Sequence, residues 1–157
     1  MTTPPSDLTI SRLISAPRTA IWRAWSEREH FAKWWIPAPI ECRVVKLDLR
    51  PGGGFETLMR EGEGDFQPHV EGCFLDVVPA ERIVFTTCLA EGWRPIEPWL
   101  ALTAVMTMTD EAGGTRYAAR VLHKSEEDSR KHQEMGFAPG WGQAIDQLAA
   151  VAQRLAR

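Results

Sequence analysis

Four of the chain's seven tryptophans, Trp22, Trp25, Trp34 and Trp35, crowd into the stretch from Ser15 to Trp35. Pro17 suits the first turn of a helix, where a missing N–H costs nothing. Ile21, Trp22 and Trp25 then share one face at i, i+1, i+4. Ser26 followed by Glu29 reads as the capping box of a second helix. Phe31, Trp34 and Trp35 continue the apolar stripe, and Pro37 ends it by steering Ile36 away from the α region. Two stubby helices with so much indole do not cover a core alone. They are predicted to plug one end of something larger.

Around that plug the chain reads as strands divided by turns. Leu8 to Ser15 is a short strand before it. After it, Ile40 to Leu49 is rich in β-branched residues and stops at Arg50-Pro51-Gly52-Gly53-Gly54, a turn that supplies positive φ without steric cost. Phe55 to Glu61, Val70 to Val78 and Ile83 to Leu89 follow, separated by Gly62-Glu63-Gly64-Asp65 and by Pro79-Ala80-Glu81-Arg82. Gly92 to Pro98 is a loop containing Trp93. Leu100, Leu102, Met106 and Met108 alternate with Thr103, Thr107 and Thr109, as in a half-buried strand. In the last strand, Thr115 to Leu122, the inner face is Tyr117, Ala119 and Val121. Consecutive hairpins of this kind make an antiparallel meander.

The C-terminal third is helical. Ser125 with Asp128 caps a short helix that breaks at Met135-Gly136. Pro139 then suits the first turn of a longer helix ending near Leu155. Trp141, Ile145, Leu148, Ala152 and Leu155 form one apolar stripe, while Gln143, Asp146, Gln147 and Arg154 face elsewhere. Residues 139–155 at 1.5 Å each span roughly 25 Å, enough to cross a sheet. The fold class is therefore α+β: seven antiparallel strands in a curved sheet, two short helices after the first strand, and a long C-terminal helix lying in the bend. The 157 residues fit one domain, with residues 1–7 expected to be flexible.

Composition narrows the function classes. Lys plus Arg is 18 against 21 Asp plus Glu, a formal charge of −3, which argues against nucleic acid and anionic membrane as partners. No apolar run reaches the roughly 20 residues of a spanning helix, and Met1 to Asp7 lacks the plan of a signal peptide. Cys42, Cys73 and Cys88 are odd in number and far apart, so no disulfide framework or zinc knuckle is indicated. A reducing cytoplasm is the simplest home.

In chain order, Ala16-Pro17-Arg18-Thr19-Ala20-Ile21-Trp22-Arg23-Ala24-Trp25, Trp34-Trp35 with Pro37, and Asp48-x-Arg50-Pro51-Gly52-Gly53 form a recognisable set. It continues with Pro79-Ala80-Glu81-Arg82-Ile83-Val84-Phe85-Thr86, Gly114-Thr115-Arg116 and Gly140-Trp141. The set resembles the SRPBCC (START, Bet-v-1-like) superfamily, and within it the domain of activators of the heat-shock-protein-90 ATPase. The resemblance runs from about Leu8 to Leu155. It implies the helix-grip fold, with a cavity between sheet and C-terminal helix. It does not select an activity, because one fold hosts many functions. The superfamily includes polyketide cyclases, lipid carriers, hormone receptors and co-chaperones; the branch also suggests a stress-response role.

The residues supply their own reason for a cavity. Trp35, Phe55, Met59, Trp99, Met106, Met135, Trp141 and Ile145 can converge between sheet and helix, where aromatics keep walls apart and methionines adapt to shape. His69 and His132 are the polar candidates, His132 as a handle at the mouth beside the helix break. His69, Glu71 and Cys73 alternate on one strand with His123 on a later one. A metal site needs three or four converging ligands, so this set reads as a hydrogen-bonded face with a buried thiol. No metal, cofactor or catalytic residue is assigned, since no Ser-His-Asp set, H-E-x-x-H or nucleophile elbow occurs. The expected function is binding of a small, largely apolar ligand. A co-chaperone or protein-interaction module is the first alternative, disfavoured because the extra N-terminal domain of the resembling co-chaperones is not in this sequence. A cyclase- or hydratase-type enzyme using His69 and His132 is the second. A homodimer and a chaperone contact stay open.

Overall fold

A computed structural model describes residues 4–157. The chain runs β1 (Asp7–Ile14), α1 (Arg18–Ser26), α2 (Arg28–Phe31), β2 (Glu41–Leu47), β3 (Gly54–Arg60), β4 (Gln67–Val78) and β5 (Arg82–Thr86). Then come β6 (Leu89–Ala90), β7 (Arg94–Pro95), β8 (Thr103–Glu111), β9 (Gly114–Leu122), α3 (Glu126–Glu134) and α4 (Phe137–Leu155). Seven strands form one antiparallel sheet in the order β1-β9-β8-β5-β4-β3-β2, and β6 and β7 make a separate ribbon. This is the helix-grip arrangement, with α4 across the sheet and α1 packed on α4. No helix among the described residues is long and apolar enough to cross a membrane.

The hairpin turn between β2 and β3 carries its glycines for geometry. Gly52 has φ +83°, and its N–H donates to Phe74 O at 2.8 Å while Phe74 N–H returns to Gly53 O at 2.9 Å. A Cβ on Gly53 would lie 1.9 Å from the backbone oxygen of Asp48, so only glycine fits. The other boundaries follow the periodicity with local changes. Ser125 accepts from Asp128 N–H at 3.1 Å, as the cap of α3. Gly136, at φ +95°, breaks α3 from α4, and α4 begins at Phe137, two residues before Pro139.

Several expectations need correction. Ser26 is the last residue of α1, and α2 starts from Glu27 with no side-chain cap. The expected capping box fails because the first helix continues through its serine. The strand expected from Ile83 to Leu89 ends at Thr86, and part of the following loop pairs as the β6–β7 ribbon. Residues 1–3 of the segment expected to be flexible lie outside the described residues. Asp7 opens β1 with its carboxylate 2.6 Å from Arg120.

The core is aromatic at one end. Trp25, Phe31, Trp34 and Phe55 are fully buried, with Trp25 and Trp34 edge to face at 5.2 Å. Each indole N–H of that pair is satisfied, Trp25 by Tyr117 Oη at 3.0 Å and Trp34 by Ala24 O at 2.9 Å. Burying rings of this size requires partners for their polar edges. The plug has them.

Candidate functional site

A cavity of about 220 Å³ lies between α4, the aromatic plug and the inner face of β4, β5 and β9. Its walls include Trp35, Phe85, Leu102, Trp141 and Ile145. Trp35 comes from the turn after α2 and stacks on Phe31 at 5.3 Å. Trp141 and Ile145 sit one turn apart on α4, so both face the sheet. No Asp, Glu, Lys or Arg lines the space.

Polar groups reach it from three directions. His69 does so through a β-bulge: Thr57 pairs with Val70 and the next residue, Leu58, with Pro68, leaving His69 as the extra residue of β4. A bulge re-aims the side chain it carries, and here both His69 and Val70 line the cavity. His69 Nδ1 lies 3.0 Å from Thr57 Oγ1, and burial lowers its pKa from 6.5 to about 4. Above it, Trp99 is 71% exposed yet donates from Nε1 to His69 O at 3.2 Å.

His132, on α3, is only 7% exposed. Its Nδ1 is 2.9 Å from His123 Nε2, and His123 Nδ1 is 2.9 Å from Ser6 O. Desolvation first, and the neighbouring His123 second, lower its pKa to about 4. Tyr117 lines the third side; burial raises its phenol pKa, while the Trp25 N–H it accepts works the other way. Trp35 Nε1 is the one fully buried side-chain polar atom without a partner among the described residues. Such an orphan costs roughly 1–3 kcal/mol.

The expected lining residues divide into two groups. Trp35, His69, Trp99, His132, Trp141 and Ile145 border the cavity. Phe55 and Met106 do not, because both are fully buried in the core behind it. Met59 is on the distal part of β3, paired with Cys42 and Gln67. Met135 is 57% exposed at the α3–α4 break, pointing away from the space it was expected to fill. His132, expected as a polar handle at the mouth, lines the cavity as a buried member of a histidine pair. The expected alignment of His69 with Glu71 and Cys73 is broken by the bulge, which leaves Glu71 exposed. Cys73 is buried, its Sγ against Phe74 O at 3.4 Å.

Sequence reasoning missed Gln147. Its Oε1 accepts Ala38 N–H at 2.8 Å, and its Nε2 donates to Trp34 O and Ile36 O, each at 3.0 Å. It ties the Trp34–Ala38 wall of the cavity to α4. A polar residue beside an apolar stripe reads as solvent-facing, so only its partners reveal it. Phe85, Leu102 and Tyr117 were legible as inward positions of their strands but were not singled out. Outside the cavity, Glu27, Glu29 and His30 are the one close group of three metal-capable side chains among the described residues. Glu27 there already holds Arg23 at 2.7 Å.

The comparisons with known proteins agree with this architecture. A protein from Nitrosomonas europaea, solved by X-ray crystallography, is 37% identical, with TM-score 0.87, over 98% of this chain and 97% of that one. A Mycobacterium smegmatis protein is 28% identical with TM-score 0.78, over 94% and 90%. A solution structure from Arthrobacter aurescens shares the fold at 20% identity, with TM-score 0.82 over 98% and 90%. No match was found among proteins of curated function. The family described as "Activator of Hsp90 ATPase homolog 1-like protein" matches residues 15–153. By that match, and by the Nitrosomonas relative, the chain belongs to this family.

Proposed function

We propose that this protein binds a small, largely apolar molecule in the cavity between its sheet and α4. The observation that carries the reading is an aromatic-walled space of about 220 Å³ with no charged side chain in its lining. Concave, mostly apolar pockets with a few placed polar groups are the usual form of a small-molecule site. A dry cavity of about 150 Å³ takes benzene, so this one suits a single substituted ring. A steroid exceeds it.

A native mass spectrum of protein purified from its own host tests the proposal most directly, since a co-purified mass of a few hundred daltons or less names the occupant. A thermal-shift screen over small aromatics gives the second readout. Binding to the native state alone adds about 2.7 kcal/mol of stability at a hundredfold excess over Kd. Trp141→Ala should abolish the shift, and a circular-dichroism spectrum shows whether that variant is folded. No retained mass and no shifted melting point would remove the binding reading. Capture of a chaperone by the same protein would then favour the interaction-module alternative.

A further inference from the structure

A backbone carbonyl fixes the polarity of the cavity's buried edge. Ser6 O can only accept, and it takes the His123 backbone N–H at 3.0 Å and the ring Nδ1 at 2.9 Å. His123 Nδ1 therefore carries a hydrogen, and in a neutral imidazole the other nitrogen is then a bare lone pair. That lone pair stands 2.9 Å from His132 Nδ1. The second nitrogen must bring the hydrogen to that bond, which leaves His132 Nε2 bare in its turn. Nε2 has no partner among the described residues, and it is not one of their sealed, unpartnered atoms. It is therefore not fully enclosed, and the His132 ring borders the cavity.

Resting on the binding reading above, we propose that the ligand is a neutral aromatic ring bearing a hydrogen-bond donor, a phenol-type hydroxyl or a ring N–H. It gives that donor to His132 Nε2, and His123 is the positioning residue that imposes the preference. An acceptor-only group, such as an aryl ether, meets lone pair with lone pair. An anion fares worse, since no cation lines the space and an unpaired buried charge is strongly disfavoured. Rings suit the walls of Trp35, Phe85 and Trp141, whose faces and edges favour offset and edge-on contacts. The low pKa of His132, about 4, keeps it neutral at working pH.

The test is made at pH 8 on the whole protein with three ligands of matched shape: 4-ethylphenol, 4-ethylanisole and 4-ethylbenzoate. Calorimetry should show the phenol binding about tenfold more tightly than the ether, the worth of one hydrogen bond to a buried acceptor, and no binding of the carboxylate. His123→Phe keeps a ring in place but releases the tautomer of His132, so the phenol-to-ether ratio should fall to near one while ether binding persists. Nitrogen-15 spectra of histidine-labelled wild type read the relay without any ligand, or if that variant fails to fold. Nδ1–H is expected on both His123 and His132, and an Nε2–H on His132 overturns the proposal. Equal binding of phenol and ether also overturns it, as does a preference that survives in folded His123→Phe. Failure of all three ligands to bind, with the expected tautomers present, overturns instead the binding reading beneath.

Discussion

Gln147 uses both ends of its amide on one loop, and its Oε1 also accepts from Gln143 Nε2 at 3.4 Å. Two part-buried carbonyls and an exposed N–H of residues 34–38 bond to it, so Gln147→Leu should destabilise by about 1 kcal/mol, the net worth of a typical hydrogen bond. Urea denaturation measures this. Gln147→Glu should not rescue, because a carboxylate facing two carbonyl oxygens has no hydrogen to give them. A second residue-scale prediction concerns pH. His69 and His132 titrate near 4 when folded against an ordinary value of 6.5. Between those values the unfolded chain binds more protons, so stability rises with pH across the window and is lost as pH falls from about 6.5 towards 4. Urea midpoints across that range should follow this slope, and His69→Gln should flatten part of it. An unchanged slope in that variant would show that other groups set the acid limit.

Among the elements, α4 and the glycine turn were legible in the sequence, for different reasons. The Trp141 to Leu155 stripe keeps its 3.6-residue period through the longest helix of the chain, and it seats Ile145, Leu148 and Ala152 in the core. Leu148→Ala should cost about 2–5 kcal/mol in equilibrium unfolding, with the helix still formed by circular dichroism. The Gly52-Gly53 turn was legible because glycine tolerates the backbone it needs. Gly53→Ala should cost more than about 1 kcal/mol, since the obstruction is a backbone oxygen with no room to withdraw. The bulge at His69 was not legible. An extra residue in a strand has no chemical signature, yet it brings two neighbouring side chains, His69 and Val70, to the cavity together. Ser26 misled for the opposite reason, since its cap pattern was present but α1 ran on through it. The histidine relay was hidden because it joins the residue after β9, α3 and the residue before β1, places whose meeting only the fold decides.

For the whole molecule, the controlling fact is a sheet whose neighbours are often distant in sequence. β1 closes on β9, and β5 on β8 across the β6–β7 ribbon. Non-local pairing of this kind slows folding, because loop closure precedes its reward. Refolding from urea should therefore take milliseconds to seconds rather than microseconds, as stopped-flow tryptophan fluorescence would record. A microsecond phase carrying the full amplitude would contradict it.

The same pairing acts earlier still, on the ribosome. β1 emerges well before its partner strand: Asp7 and Arg120, which hold them together, are 113 residues apart. At about 5–20 residues per second, translation leaves β1 waiting roughly 5–25 s for β9. Through that interval the nascent chain carries an extended segment with its hydrogen-bonding edge unmet, open to any strand it encounters. β1, one of the sheet's two edge strands, is thus the part of this protein most dependent on the pace of its own synthesis.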